Sequence, residues 1–280
     1  MQRRTIGVLV VVALVAVAGC SGLTGSDDPT ETTGATDATT GTDAAAGNGT
    51  STGSGTTTGN GGSDGGPTLA DVAYPEGVSE GGFVNASAAA LGHATALSET
   101  GFAVTLSQAT TEGNQSRNLD YEVRSDPDAQ RTAGTLNASS YRNQWYDNAT
   151  HRHARTSTTD GVQVQERRTD FSRTHRQETL ATTVRSVLTS GNYSAVETVE
   201  RNGETAVRYE LDEYNASASE GFEAEQASGT VVVGESGIIY EATLSATGTT
   251  DAGEASLDLA YEVTEIGDVE VERPDWVDGA

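Results

Sequence analysis

The sequence predicts an α+β domain in which a large curved antiparallel β-sheet, a half-barrel meander, carries two or more helices on its concave face. Three observations predict this fold. Most of the chain after residue 69 alternates apolar and polar residues with the period of two that half-buried strands show. Short turn signals separate these runs, as in consecutive hairpins. Two other segments space their apolar residues as amphipathic helices do.

The first helix is predicted from about Asn85 to Thr100. Asn85 is a suitable N-cap, and Gly101 follows the last turn. Leu91, Ala94 and Leu97 are expected to form its buried face.

The second helix is predicted from about His175 to Ser190, before Gly191. Thr174 and Gln177 match the capping-box pattern at its start. Its apolar stripe consists of Leu180, Val184, Val187 and Leu188.

The strands are predicted from alternation and from the turns between them. The clearest runs are Phe102, Val104 and Leu106; Leu119, Tyr121 and Val123; Val207, Tyr209 and Leu211; and Leu257, Leu259, Tyr261 and Val263. Asn202-Gly203 separates two such runs and is the strongest short hairpin signal. A second turn is expected at Gly234–Gly237. Consecutive hairpins with one apolar face form a meander, and the two helices can cover that face.

The first twenty residues are typical of an export signal. Arg3-Arg4 precede an apolar run from Ile6 to Ala18, which is too short for a membrane-spanning helix of about 18–20 residues. Val17-Ala18-Gly19-Cys20 resembles the lipobox of prokaryotic lipoproteins, which implies cleavage before Cys20 and a lipid on its sulfur. The alternatives are an ordinary signal peptide and an uncleaved anchor. Arg3-Arg4 also resembles a twin-arginine signal.

The composition limits the class of protein. The chain has a net charge of −25, and all 16 of its Lys+Arg residues are arginine. This combination resembles the surface proteins of extremely halophilic archaea, and it argues against binding to nucleic acid. The sole cysteine is Cys20, so the mature domain is expected to have no disulfide.

The chain is predicted to have three parts. Residues 1–20 are the lipoprotein signal peptide. Residues 21–68 contain almost nothing apolar and are expected to be a disordered tether, which as a coil of about 48 residues would span roughly 40 Å. Residues 69–280 have the length of one domain. The expected location is the outer face of the cytoplasmic membrane, held there by the lipid on Cys20.

The predicted order of elements resembles the half-barrel LolA/LolB-like carriers and the related mycobacterial lipid-binding lipoproteins. Residues 229–240 resemble their late hairpin, and Tyr141–Tyr146 their mid-sheet aromatic strand. The ending Glu272–Trp276 resembles the tail of haloarchaeal lipoproteins of unknown function. The resemblance implies that the concave face binds acyl chains or another hydrophobic molecule. A chain that keeps its own lipid fits a fixed holder better than a soluble shuttle.

The inward positions of the strands are the candidate lining of a ligand cavity. They are Val104, Leu106, Leu119, Tyr121, Trp145, Val207, Tyr209, Tyr240, Leu244, Leu257, Leu259 and Tyr261. The alternative is a solid core sealed by the helices, which would suit a structural or interaction lipoprotein of the envelope.

Two polar features have alternative interpretations. Between Ala129 and Arg185 arginines outnumber acids, which fits either an anionic headgroup or ion-pair ladders with the acidic C-terminal strands. His151 and His153 share one face of a predicted strand, but no third ligand is evident, so neither a metal nor a cofactor is expected. The chain contains no recognisable catalytic motif, and the prediction is that it is not an enzyme.

Seven N-x-S/T sequons allow surface glycosylation in an exported protein. Candidate sites are Asn114, Asn137, Asn148, Asn192 and Asn215, with Asn48 in the tether. Asn85 is better explained as the helix cap.

Overall fold

The domain is built on one open, curled antiparallel sheet of eleven strands, as the computed structural model shows. The strands are β1 (Gly101–Glu112), β2 (Gln115–Asp126), β3 (Arg131–Ala138), β4 (Tyr141–Asp147), β5 (His151–Thr158), β6 (Gly161–Arg168), β7 (Gly191–Arg201), β8 (Glu204–Tyr214), β9 (Glu223–Gly234), β10 (Ile239–Thr250) and β11 (Gly253–Gly267). The predicted α+β half-barrel class is confirmed. The structure describes residues 67–215 and 221–278; the predicted signal peptide, Cys20, residues 21–66 of the predicted tether and Asn48 lie outside them.

The sheet consists of two meanders joined at their first and last strands. Its order is β6-β5-β4-β3-β2-β1-β11-β10-β9-β8-β7, so β1 and β11 lie at the centre and β6 and β7 at the edges. In the central register Leu106 lies opposite Tyr121 of β2 on one side and Tyr261 of β11 on the other. The predicted turns at Asn202-Gly203 and Gly234–Gly237 are confirmed as the β7–β8 and β9–β10 connections.

The first helix, α1 (Ala86–Ser98), is confirmed together with its cap. The Asn85 side chain accepts a hydrogen bond from the Ala88 N–H at 3.0 Å. Ala94 and Leu97 are buried as predicted, but Leu91 is 64% exposed, so its assignment to the buried face is wrong. Six residues of helix turn by about 240°, which takes Leu91 away from the face of Leu97. His93 occupies the buried face instead.

The prediction of one continuous second helix is wrong, and so is its predicted start. The chain forms two short helices, α2 (Phe171–Gln177) and α3 (Ala181–Leu188). Leu180 separates them with φ of +57°, in the left-handed region that a helix cannot contain. The cap of α2 is Asp170, whose side chain accepts from the Arg173 N–H, and not Thr174. Thr174 is buried within α2, where its hydroxyl lies 2.9 Å from that of Thr169.

The hydrophobic core lies between the sheet and the helices. Helix α1 packs against α2 and α3, and α3 also contacts β7 and β10. Val184, Val187 and Leu188 of α3 belong to the same buried cluster as Leu97 of α1 and Val104 of β1. The predicted apolar stripe of the second helix therefore does face the sheet, although the helix begins later than expected.

The C-terminal residues cover part of the outer face of the sheet. Val271 and Val277 are buried against Tyr146 of β4, with Trp276 packed beside them. The Arg273 guanidinium lies 5.9 Å from the centroid of the Tyr146 ring. Because Tyr146 projects away from the helices, this small cluster is separate from the main core. It accounts for apolar residues in the tail that the period-two pattern does not explain.

Candidate ligand pocket and buried polar clusters

The side chains that are predicted to line a cavity instead fill the space beneath the helices. Val104, Leu106, Tyr209 and Tyr261 are at most 1% exposed. All twelve predicted lining residues lie in this core or pack against it, and the partly buried ones are Leu119, Tyr121, Leu257 and Leu259. The helix-covered half of the half-barrel is therefore solid.

A pocket of about 300 Å³ opens at the other end of the half-barrel, beside the β1–β2, β3–β4 and β10–β11 turns. Its apolar lining consists of Leu119, Ala138, Tyr141, Tyr214, Phe222, Ala255 and Leu257. Leu119 and Leu257 are the two predicted cavity residues that line it. None of the described helices reaches this end, so they leave the curled sheet uncovered here and a concave apolar surface remains.

Sequence reasoning missed three aromatic residues of this pocket. Tyr141 and Tyr214 each lie at the end of a strand, and Phe222 lies outside any strand. Phe222 nevertheless is buried against Ala246 and Ala255. Residues at strand ends do not have to continue an alternating pattern, so periodicity gives no signal for them.

The polar groups of the pocket lie at its rim. Gln108, Thr110, Glu112, Gln115 and Arg117 contribute to the lining together with the serines of the β3–β4 turn. Arg117 is exposed, and no carboxylate of the described residues lies within 4.0 Å of its guanidinium. A mostly apolar concavity with a few polar groups is the usual form of a small-molecule site.

A larger groove of about 730 Å³ crosses the sheet but has a different character. Leu244 and Leu259, two further predicted cavity residues, contribute to it. Most of its other lining residues lie on the face of the sheet opposite the core and are small or acidic, including Asp120, Glu210 and Asp258. Such a lining disfavours an apolar ligand, so we take the smaller pocket as the candidate site.

A cluster of charged side chains is buried between β2, β4, β5 and the α2–α3 break. The Arg152 guanidinium binds Asp147 through two hydrogen bonds of 2.7 and 2.6 Å and Glu178 through a third of 2.7 Å. Tyr121 donates its hydroxyl to the other oxygen of Glu178. The Asp147 side chain is fully buried, and those of Arg152 and Glu178 are 11% and 9% exposed. One cation thus binds two carboxylates inside the fold.

Burial and neighbouring charges displace the pKa values of this cluster. Burial raises the pKa of Glu178, against the lowering effect of Arg152. Burial also opposes the charge on Arg152, but the hydrogen bond and charge of Asp147 and the charge of Glu178 outweigh it and raise the pKa of Arg152. Burial and the adjacent Glu178 raise the pKa of Tyr121. The Arg152 guanidinium also lies over the ring of Trp145, 5.8 Å from its centroid, within the range of a cation–π contact.

His93 anchors α1 to the sheet through a buried hydrogen-bond network. Its Nδ1 accepts from the Ile239 N–H at 3.1 Å, so the proton of the neutral ring is on Nε2. Nε2 lies 3.1 Å from the Thr179 carbonyl and 3.0 Å from the Tyr261 hydroxyl. Burial lowers the pKa of His93 to about 4. The ring is therefore neutral at pH 7 and serves as a structural link between helices and sheet.

A serine–histidine pair is also present, but it is enclosed in the core. Ser125 Oγ lies 2.6 Å from His175 Nδ1 and 2.6 Å from Thr132 Oγ1, and Ser125 and Thr132 are fully buried. The other nitrogen of His175 lies 3.1 Å from the Ser98 carbonyl. Burial lowers the pKa of His175. A substrate would have to open the core to reach Ser125, so this pair has the geometry of a structural network.

The arginine-rich stretch lies apart from the acidic strands. Strands β3–β6 occupy one side of the sheet and β7–β11 the other, with β1 and β2 between them. Arg152 pairs with Asp147 and Glu178, which belong to the same stretch. The ion pair that does bridge toward β11 is Arg124–Glu265, and Arg124 precedes the stretch. Within the described residues, the hypothesis of ion-pair ladders is therefore wrong.

His151 and His153 lie on one face of β5, as expected, with Glu166 of β6 between them. The nitrogen–oxygen distances are 3.8 and 3.9 Å. His153 Nδ1 is buried without a hydrogen-bond partner. Across the part of the chain that the structure describes, no group of three or more His, Cys, Asp or Glu residues is arranged to hold a metal.

Among the described residues, no helix combines the length and the apolar composition that spanning a membrane requires.

The described sequons differ in their surroundings. Asn114, Asn137, Asn192 and Asn215 are exposed. Asn148 is half-buried and its side-chain oxygen accepts hydrogen bonds from the Thr150 and His151 N–H groups, so it already shapes the β4–β5 turn. Glycosylation at each of these positions stays a prediction.

The fold and the pocket define an α+β half-barrel with an apolar concavity at its open end. No protein-family model and no curated protein matches the chain. Among solved structures, a Pseudomonas aeruginosa MucA/MucB complex matches with 11% identity and a TM-score of 0.29, and the match covers 69% of this chain and 59% of that one. The Mycobacterium tuberculosis lipoprotein LppX matches with 15% identity and a TM-score of 0.29, covering 66% and 98% of the two chains.

A third solved structure is a DUF1329 family protein from Desulfovibrio piger. It matches with 6% identity and a TM-score of 0.25, covering 68% of this chain and 94% of that one. All three similarities are low and show no function for this chain.

Proposed function

We propose that this chain is a lipid-anchored binding protein of the cell envelope that holds the apolar part of an amphiphilic molecule in the pocket at the open end of its half-barrel. The observation that carries the proposal is the apolar concavity of about 300 Å³ in a domain whose remaining interior is filled. An apolar cavity of about 150 Å³ holds a benzene molecule. The pocket therefore fits a segment of about ten carbons and not a whole diacyl lipid.

The lining supports an amphiphilic ligand. Leu119, Leu257 and Phe222 provide apolar surface at the base, whereas Arg117 and Gln115 are at the mouth. A ligand that enters with its apolar part first would leave a polar headgroup beside these side chains. Arginine forms bidentate hydrogen bonds with carboxylates and phosphates, so Arg117 favours an anionic group on the ligand, against the opposing charge of Glu112 in the same lining.

Filling the pocket is expected to prevent binding without unfolding the domain. Leu119→Trp places an indole in the pocket, and we expect the affinity for the probe N-phenyl-1-naphthylamine, and for competing dodecanoate, to fall at least about tenfold, a loss of about 1.4 kcal/mol. Fluorescence titration measures the affinity, and thermal unfolding checks that the fold is retained.

The control is Asp120→Trp, at the next position of β2, because the exposed Asp120 side chain lines the larger groove on the opposite face of the sheet. It should leave the affinity unchanged. If Asp120→Trp abolishes binding and Leu119→Trp does not, the ligand occupies the larger groove and the proposal is wrong. Binding that neither variant affects would also contradict it.

The filled core favours a second function, that of a structural or interaction lipoprotein without a ligand. Tyr209 and Tyr261 occupy the centre of the half-barrel, where a long acyl chain would otherwise lie. This function predicts that the wild-type protein binds neither probe, so the same titration separates the two.

Anchoring is tested at Cys20. We expect Cys20→Ser to release the protein from membranes or to block its maturation, because the serine oxygen replaces the sulfur that would receive the lipid. Cell fractionation and the mass of the mature chain measure this. A variant that stays in the membrane fraction with the wild-type mature mass would contradict the lipobox interpretation.

A further inference from the structure

The two edges of the sheet are protected very differently. The β7 edge is covered by the segment that precedes α1: the Ala195 N–H donates to the Glu80 carbonyl at 3.1 Å, and the Thr198 hydroxyl donates to the Pro67 carbonyl at 2.6 Å. Strand β7 is also interrupted by irregularities in its register at Asn192/Tyr193 and Ala195/Glu197. Covering segments and bulges are the devices by which proteins prevent an edge strand from pairing with another chain.

Strand β6, at the other edge, has no bulge and is covered by no segment of residues 67–215 or 221–278. All eight of its residues are exposed, and its register with β5 runs without a bulge from Gly161 to Arg168. Val162 and Val164 are 55% and 42% exposed. Its charged residues are confined to its last three positions, and residues 161–165 contain no charge or proline. A regular, exposed edge with valines is a template for strand pairing.

The hairpin register determines which backbone groups face the free edge. Thr158 and Gly161 flank the two-residue β5–β6 turn and therefore form a hydrogen-bonded pair. Hydrogen-bonded and non-hydrogen-bonded pairs alternate along an antiparallel ladder. The N–H and C=O groups of Val162, Val164, Glu166 and Arg168 consequently point away from β5, and their side chains share one face of the sheet.

We propose that β6 pairs with β6 of a second copy of this chain, antiparallel and about a two-fold axis at Val164. In this register Val164 lies opposite Val164 of the second copy, Gln163 opposite Gln165, and Val162 opposite Glu166. Asp160, in the turn, lies opposite Arg168. An axis at Gln165 instead places Glu166 opposite Val164 and Arg168 opposite Val162, which removes both the valine–valine contact and the Asp160–Arg168 pair. The two-fold contact joins the two sheets into one continuous sheet, as isologous interfaces allow.

The charges of the hairpin favour this partner. Antiparallel pairing places the arginines at the end of β6 near the start of β6 in the other copy, so they do not face each other. Each Arg168 meets an acidic Asp160 instead. A single strand pair buries less than the about 1,200 Å² of a standard stable interface, so the dimer is transient.

Disulfide trapping tests the register. In a Cys20→Ser background the chain has no other cysteine, so Val164→Cys introduces a single thiol. Residues of a hydrogen-bonded pair have Cα atoms about 5.5 Å apart, within the range that a disulfide spans. Mild oxidation should therefore produce a cross-linked dimer. Val162→Cys is the matched control: its thiols would lie about 14 Å apart along the strands and should not cross-link.

A charge exchange tests the contact independently. Asp160→Arg and Arg168→Asp should each weaken self-association by about tenfold or more in sedimentation equilibrium, because each places like charges opposite one another. The double variant should restore it. Equal cross-linking of Val162→Cys and Val164→Cys, or a double variant no better than the single ones, would overturn the proposal. These outcomes are independent of ligand binding in the pocket.

Discussion

Replacing Arg152 by methionine is expected to lower the free energy of unfolding by about 3–5 kcal/mol, because it leaves two buried carboxylates without their cation. Asp147 is fully buried and Glu178 nearly so, and both depend on the same guanidinium. Adding Asp147→Asn and Glu178→Gln to Arg152→Met removes the uncompensated charges and should recover part of the loss. Urea unfolding followed by circular dichroism measures the free energies.

Arg124→Met provides the matched control for this prediction. Arg124 also forms two hydrogen bonds of 2.7 Å with a carboxylate, that of Glu265, but their side chains are 37% and 46% exposed. Exposed pairs typically contribute about 0–1 kcal/mol, since water solvates the remaining charge. If Arg152→Met costs no more than Arg124→Met, the buried cluster does not hold the α2–α3 break against the sheet in the way the geometry indicates.

The second large effect is expected in the pH dependence of stability and arises from His93. Its pKa is lowered to about 4 by burial, from an ordinary value of 6.5. Below pH 6.5 the unfolded chain binds a proton at this residue and the folded chain does not. The stability that the neutral ring contributes is thus present above pH 6.5 and is lost as the pH falls toward 4. The difference corresponds to about 3 kcal/mol.

Comparison with His93→Gln isolates this contribution. The variant should be less stable at pH 7, since it disturbs the bonds to Ile239 and Thr179, but its stability should fall less between pH 7 and 4. The carboxylates and His175 titrate in both proteins and cancel in the difference. Urea unfolding at four pH values measures the two curves. Parallel curves would show that His93 does not titrate as its burial implies.

Periodicity predicted the parts of the fold in which local pattern and tertiary environment agree. The strands around Val104, Tyr209 and Tyr261 alternate because each has one face on the core and one on solvent. The β7–β8 hairpin was predictable because Asn202 and Gly203 both adopt positive φ, +48° and +80°, which these residue types tolerate. Asn85 was predictable because a cap is a local hydrogen bond.

Local pattern failed where a distant residue determined the backbone. The apolar stripe from Leu180 to Leu188 indicated one continuous helix, but the chain turns at Leu180, and Glu178 beside the turn binds Arg152 and Tyr121 of the sheet. Leu91 was assigned to the core because it is apolar, whereas the buried position belongs to His93 through its bonds to Ile239 and Thr179. These hydrogen bonds join residues that are far apart in the sequence, so the pattern of a single segment does not indicate them.

The sequence by itself determined the fold class, the first helix with its cap and the turns of two hairpins, because these depend on side-chain alternation, capping and backbone conformation over a few residues. The tertiary structure alone decided that β1 pairs with β11, which separates the arginine-rich strands from the acidic ones. It also decided that the helices fill one end of the half-barrel and leave a pocket at the other. Strand order and packed volume depend on contacts between residues more than 100 positions apart, such as Leu106 with Tyr261, and no local pattern encodes them.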